Sequence, residues 1–217
     1  MALTPGILAR GPWPPDRVAA RWSEQPFEPT TGANEAADAA IAALRERGSP
    51  AHDGLSARLA AHREEAGGLV LELEPARWAL RLNAGDASQS LTAMCVVRAG
   101  DGRWLAGRRA PWLATWAGRW ALGAGGAVDA GENPAHTLER ELAEEWSVST
   151  ERLTVEALVC LPSQLVVLVG LAWLAEDAQV TPDAEHDLFA WWPAEIDDWP
   201  PEADAPLRQT AMMLAGA

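Results

Sequence analysis

Lysine and tyrosine are absent from this chain of 217 residues, and cysteine and phenylalanine occur only twice each. All 17 basic residues are therefore arginine, set against 31 acidic ones, for a formal net charge of -14. The missing lysine, beside abundant alanine, reads as coding bias before function. The shortage of positive charge excludes whole classes of partner, because so negative a field repels DNA, long RNA and anionic membrane surfaces. A small anionic substrate stays compatible, provided that a divalent cation screens its charge. Cys95 and Cys160 each sit in an apolar, strand-like run and make neither a disulfide framework nor a metal-ligand spacing. They read as buried thiols in a reducing cytoplasm. Long hydrophobic runs are missing too: the most apolar window, residues 165–175, is too short to span a bilayer. The opening MALTPGILARGPWPPDR lacks a basic segment followed by a long apolar one, so no secretory signal is expected and the expected location is the cytoplasm.

What is present is the composition of a soluble globular protein, 48% hydrophobic and 22% charged. Residues 1–30 carry Pro5, Pro12, Pro14, Pro15, Pro26 and Pro29 and predict an irregular wrapping segment pinned by Trp13, Trp22 and Phe27. The run NEAADAAIAALRERG predicts a helix capped by Asn34 and stopped at Gly48, and DGLSARLAAHREE a weaker one from Asp53. Leu69, Leu71 and Leu73 alternate as in a strand, and Trp78, Leu80 and Leu82 predict a second strand, with Pro75 at a turn or edge between them. Residues 1–86 therefore read as a small α/β appendage joined at NAGDASQS to a domain over 87–217. From Leu91 onwards a hairpin turns at Gly100-Asp101-Gly102, and a glycine-loosened strand and loop follow in GRWALGAGGAV. A helix over 134–146 is capped by Asn133 with Pro134 in its first turn. Three more strands and a closing helix in PLRQTAMMLAG complete an α+β reading: a mixed sheet packed between helices.

The helix over 134–146 is where chemistry concentrates. At 3.6 residues per turn, Ala135, Leu138, Leu142 and Trp146 form one stripe for packing on the sheet, and Glu141, Glu144 and Glu145 share a second face. Three clustered carboxylates destabilise a helix unless a cation neutralises them. Hard oxygen ligands suit Mg²⁺ or Mn²⁺ better than zinc, for which His and Cys ligands are lacking nearby. Arg140 stands where it can pair with Glu144 or with Glu132, and Gly123, Gly125 and Gly126 allow close backbone approach to a metal or phosphate.

The same stretch is similar to the Nudix box, G-x5-E-x7-R-E-U-x-E-E-x-G-U, where U is a bulky apolar residue. Gly126 opens it, Glu132 follows, and Arg140-Glu141, Leu142, Glu144-Glu145, Trp146 and Val148 take the remaining positions. Ser147 stands in place of the usual glycine, at a cost of about 1 kcal/mol if it takes the left-handed conformation. The match covers residues 126–148, and the order of elements suits the family over roughly 90–217. The resemblance implies a Nudix-type mixed sheet between helices and metal-assisted water attack on a diphosphate joined to a second group. It implies Glu141, Glu144, Glu145 and the Gly125 carbonyl as metal ligands. Glu144 or Glu145 would orient or deprotonate the water, and Arg140 with Glu132 would support the site beside Gly126. A later carboxylate often serves as a base or ligand in this family, and Glu185 is the choice among Asp183, Glu185 and Asp187.

The implied partner is a small nucleotide-diphosphate derivative: a nucleotide sugar, ADP-ribose or a dinucleotide. A catalytically silent nucleotide-binding regulator and an isopentenyl-diphosphate-isomerase-like enzyme are the alternatives. Arg108 and Arg109 suit a phosphate, and one of Trp104, Trp112, Trp116 and Trp120 suits a stacked base, Trp120 being carried as a substrate candidate. His52, His62, His136 and His186 share no spacing, and His136 reads as an exposed side chain on the helix. The appendage is read as shaping the substrate pocket or a homodimer interface.

Overall fold

A computed structural model describes residues 2–49, 53–113 and 115–215. His52 lies outside them. The main sheet is mixed and has eight strands: β1 (Gly6–Trp13), β5 (Leu91–Arg98), β6 (Trp104–Arg109), β7 (Trp120–Leu122), β8 (Ala124–Ala127), β9 (Arg152–Cys160), β10 (Val166–Trp173) and β11 (His186–Trp192). Its order is β1-β9-β10-β5-β6-β11, with β8 paired to the first half of β5 and β7 to β6. β10 runs parallel to β5 and the other pairs are antiparallel. A smaller sheet has the order β2-β4-β3, from β2 (Val18–Trp22), β3 (Leu55–Glu65) and β4 (Gly68–Arg77). The helices are α1 (Thr31–Glu46), α2 (Pro134–Trp146) and α3 (Ala205–Leu214).

Period-two alternation explains the two faces of the main sheet. Leu91, Ala93, Cys95 and Val97 of β5, with Val166, Leu168 and Ala172 of β10, share one core with Leu138, Leu142 and Trp146 of α2. Val18, Leu59, Leu69, Leu71 and Leu73 of the small sheet join that core, so α2 lies between two sheets. Val96, Val167, Val169 and Leu171 point the other way, to Leu207, Ala211 and Leu214 of α3. Deep burial of so many aliphatic side chains is the main stabilising term. The core crosses the expected 86/87 boundary, and β1 is an edge strand of the main sheet through its pairing with β9.

The hairpin, the Pro134–Trp146 helix and the later strands form as the patterns predict, whereas the N-terminal region differs in five places. The expected irregular segment over 1–30 is regular in part: Gly6–Trp13 and Val18–Trp22 form β1 and β2, which find partners far along the chain, while 23–30 have no regular structure. The run from Asp53 is a strand and not a helix. Its Ala57 and Leu59 are buried, and pairing with β4 overrides the helix preference of its Ala, Arg and Glu residues. β4 runs straight through Pro75, because β2 stops at the Trp22–Leu73 pair and demands no N–H beyond it. Trp78–Leu82 is then a 3-10 turn and not a second strand, with Ala79 and Leu80 packed against Ala37 and Ile41 of α1. The helix cap is Thr30, whose side chain accepts from the Ala33 N–H, so α1 starts before Asn34.

Candidate active site

Three local features build the site. Asn133 caps α2 by accepting from the Ala135 N–H at 3.0 Å, and its side-chain amide donates to the Val18 carbonyl at 2.9 Å. At the other end Ser147 adopts φ 55° and ψ 37°, the left-handed conformation that releases the chain from the helix. Between β7 and β8, Gly123 takes φ +65°, and a Cβ there would lie 1.9 Å from the Cys95 carbonyl oxygen. This turn lets the Trp146 indole donate to the Gly123 carbonyl at 3.0 Å and fixes the last turn of α2 against the glycine loop.

That docking separates the three glutamates. Glu141 and Glu145, one turn apart, face β8 and are buried, at 8% and 4% exposure, while the side chain of Glu144 is 58% exposed. The expectation of one shared face is therefore met by two of them, with Glu144 at its outer rim. The Glu141 carboxylate occupies the space over Gly126, where any Cβ would come within 2.3 Å of it. Glu145 Oε1 accepts from the Gly125 N–H at 3.0 Å, and its Oε2 has no hydrogen-bond partner among the described residues. Burial pushes the Glu145 carboxyl up to about 9, against the Gly125 N–H and with added repulsion from Glu141 and Glu185. Burial raises Glu141 as well, opposed by Arg140 and aided by Glu144.

Arg140 ties the loop to the helix. It donates to Glu132 Oε1 at 3.1 Å, to Glu144 Oε2 at 2.9 Å and to the Ala127 carbonyl at 3.2 Å, and it lies 2.7 Å from Glu141 Oε1. Glu132 also accepts from the Thr137 hydroxyl at 2.8 Å. Burial works against its charge, but Arg140 and Thr137 hold its carboxyl below the ordinary range.

The loop before β11 closes the other side. The Thr181 and Asp183 N–H groups donate to the Trp146 and Glu145 carbonyls at 2.9 and 2.8 Å, so this loop rides on the last turn of α2. Glu185 is half-buried, 3.5 Å from Arg109, and its repulsion reaches both Glu141 and Glu145. Burial and Asp183 raise its carboxyl, against Arg109.

Spacing did not reveal His186. It is buried against the Trp146 ring, 4.4 Å between centroids, with Nε2 3.6 Å from Glu145 Oε2 and Nδ1 3.5 Å from Asp183. Burial lowers its pKa and favours the neutral ring. The one available signal was Gly107, whose missing side chain makes room for His186 and Trp146 across the sheet.

The remaining candidates lie elsewhere. Arg108 makes a two-pronged ion pair with Asp187 at 2.8 and 2.9 Å and lies with Trp120 on the sheet face opposite α2. Trp120 is half-buried against Trp192, Trp104 is fully buried, and Trp112 and Trp116 are exposed. His136 is exposed.

Two buried carboxylates with no cation beside the inner one, over glycines that admit close approach, suit a hard divalent ion. Among the described residues no three His, Cys, Asp or Glu side chains form a group that could hold a metal by themselves. Water and substrate oxygens would have to complete the shell, as is usual for Mg²⁺.

Residues 89–211 match the model of the NUDIX domain, and the chain belongs to that family. Solved structures similar to it include an Ap4A hydrolase binary complex from C. elegans, at 25% identity, 58% of this chain, 99% of that chain and a TM-score of 0.45. A MutT protein from Methanosarcina mazei Go1 shows 24% identity over 47% of this chain and 75% of its own, with a TM-score of 0.39. The NUDIX domain of Shewanella oneidensis NrtR complexed with ADP ribose shows 21% identity over 57% and 86%, with a TM-score of 0.40. With TM-scores below 0.5, these likenesses add nothing to the family match. Among curated proteins nothing matches the chain. Among the described residues no helix is long and apolar enough to cross a membrane.

Proposed function

We propose that this protein hydrolyses a nucleoside diphosphate linked to a second group, such as a nucleotide sugar, ADP-ribose or a dinucleotide, with Mg²⁺ or Mn²⁺ as cofactor. The observation that carries the reading is the pair of buried glutamates, Glu141 and Glu145, with one Glu145 oxygen lacking a hydrogen-bond partner among the described residues, beside the glycine loop. Glu141, Glu145, the outer Glu144 and the Gly125 carbonyl would hold the ion. When bound, it supplies charge neutralisation on the diphosphate oxygens and a lowered pKa for the attacking water. Arg140 keeps the loop and helix in register by bridging Glu132, Glu141 and Glu144. Glu144, exposed at the rim, orients the water, and Glu185, held by Arg109, takes its proton as the oxygen bonds to phosphorus. The leaving phosphate departs from the opposite side of that phosphorus. Glu185 then releases that proton to solvent at the rim, so no residue is consumed. A cytoplasmic location belongs to the same proposal, supported by the free buried thiols of Cys95 and Cys160.

The test is a screen of ADP-ribose, nucleotide sugars and dinucleoside polyphosphates with Mg²⁺ or Mn²⁺, scored for cleavage of a phosphoanhydride. The reading expects cleavage of at least one class, lost in Glu145→Gln. Cleavage of none, turnover unchanged in Glu145→Gln, or a product that keeps its diphosphate contradicts it.

A further inference from the structure

Arg81 sits in the 3-10 turn after β4, within the N-terminal region that the family match does not cover. Its guanidinium is half-buried, yet it has no carboxylate partner among the described residues. It donates to the Thr92 hydroxyl and lies 5.7 Å from the centroid of the Trp78 ring. Thr92 pairs with Ala127 on β8, next to Gly126, which carries the Glu141 carboxylate above it. Other packed arginines have partners of their own, Arg98 through two nitrogens to the Gly102 carbonyl and over the Trp104 and Trp173 rings. Arg58 pairs with Glu74 at 2.5 Å, Arg77 with Asp38 at 2.7 Å and Asp53 at 2.5 Å, and Arg208 donates to four backbone carbonyls. Of its five donors, only the one to Thr92 has a hydrogen-bond acceptor among the described residues.

We propose that Arg81 is the phosphate-anchoring residue of the site: the N-terminal region supplies a guanidinium that binds the substrate diphosphate at the β8 edge, opposite the Glu141–Glu145 pair. This deepens the function proposed above and rests on it for the identity of the ligand. Three observations support the assignment. Burial without an ion pair is costly for a guanidinium, and it is repaid when a phosphate supplies the missing charge. Burial lowers the pKa of Arg81 to about 10, with Glu141 the one charge that opposes the shift, so the group stays cationic at neutral pH and the metal-facing carboxylate is its electrostatic neighbour. Thr92, Met94, Arg108 and Trp120 lie half-buried on one sheet face, because Met94 follows Thr92 by two on β5 and Trp120 pairs with Arg108. From Arg81 a ligand therefore has a partly apolar surface to extend across, away from the acidic loop.

The experiment is calorimetric titration of inorganic pyrophosphate with Mg²⁺ into the full chain, wild type against Arg81→Gln and Arg81→Lys, with thermal unfolding of each. It is joined to the KM and kcat of the same three proteins on any diphosphate that the screen finds cleaved. Loss of a charged hydrogen bond weakens binding roughly ten- to a hundredfold. The expected result is that Arg81→Gln weakens pyrophosphate binding and raises KM by that factor with kcat less affected. Arg81→Lys, which keeps the charge and loses the fork, is expected to fall between. Absence of pyrophosphate binding by the wild type overturns the assignment, as does equal binding by a folded Arg81→Gln. Tight binding that Arg81→Gln weakens, in a protein that cleaves no phosphoanhydride, contradicts the hydrolase reading and leaves the anchor standing.

Discussion

The small N-terminal sheet and the α2 helix beside it treat charge in opposite ways. In the sheet, acids and arginines answer each other: Arg58 with Glu74, Arg63 with Glu65 and Glu72, Arg77 with Asp38 and Asp53. Apart from Arg58–Glu74, where the guanidinium is largely buried, these pairs are open to solvent, where each contributes about 1 kcal/mol or less. In α2 the two deepest carboxylates fare differently: Glu141 pairs with Arg140, which also serves Glu132 and Glu144, and Glu145 has no arginine ion pair among the described residues. A fold under selection for stability alone has no reason to bury an unpaired carboxylate. The imbalance is local, and it lies in the segment that the family match covers and the sheet region lacks.

The comparison is broken most sharply by Glu145→Gln beside Arg77→Ala. In steady-state assays of a cleaved diphosphate, the first lowers kcat by roughly a hundredfold to ten-thousandfold, and the second leaves kcat and KM unchanged. Gly126→Ala comes next. Its Cβ collides with the Glu141 carboxylate and weakens Mn²⁺ binding by roughly ten- to a hundredfold in a calorimetric titration.

The acidity of Glu145 gives a third test. Its folded pKa, about 9, lies above the ordinary 4.5, so the protonated form is favoured by folding. That contribution is complete below about pH 4.5 and is lost as pH rises through about pH 9. Melting of chelator-treated wild type therefore declines between about pH 5 and about pH 9, and chelator-treated Glu145→Gln lacks this part of the decline. The smallest effect is Ser147→Gly, which removes a left-handed serine and raises stability in denaturant titration by about 1 kcal/mol, with activity unchanged.

The legibility of the sequence follows the same divide. In residues 134–146 cap, stripe and carboxylate spacing all depend on near neighbours, so helix bounds, the Asn133 cap and the Arg140 pairings were readable. The separation of Glu144 from Glu141 and Glu145 was not, because it depends on how the Trp146–Gly123 hydrogen bond seats the helix. In the N-terminal region structure comes from distant pairing. β1 needs β9 and β3 needs β4, and nothing local in a proline-rich run or an Ala-Arg-Glu run announces a strand. Arg81 and His186 were hidden for the same reason: each gains its role from a partner on another element.

The most direct measurement is a calorimetric titration of metal-free protein with MnCl₂, without substrate, on wild type and on the double variant Glu141→Gln, Glu145→Gln. The account predicts saturable binding that raises the melting temperature of the wild type and is abolished in a folded double variant. Equal binding by both proteins, or none by the wild type, contradicts it.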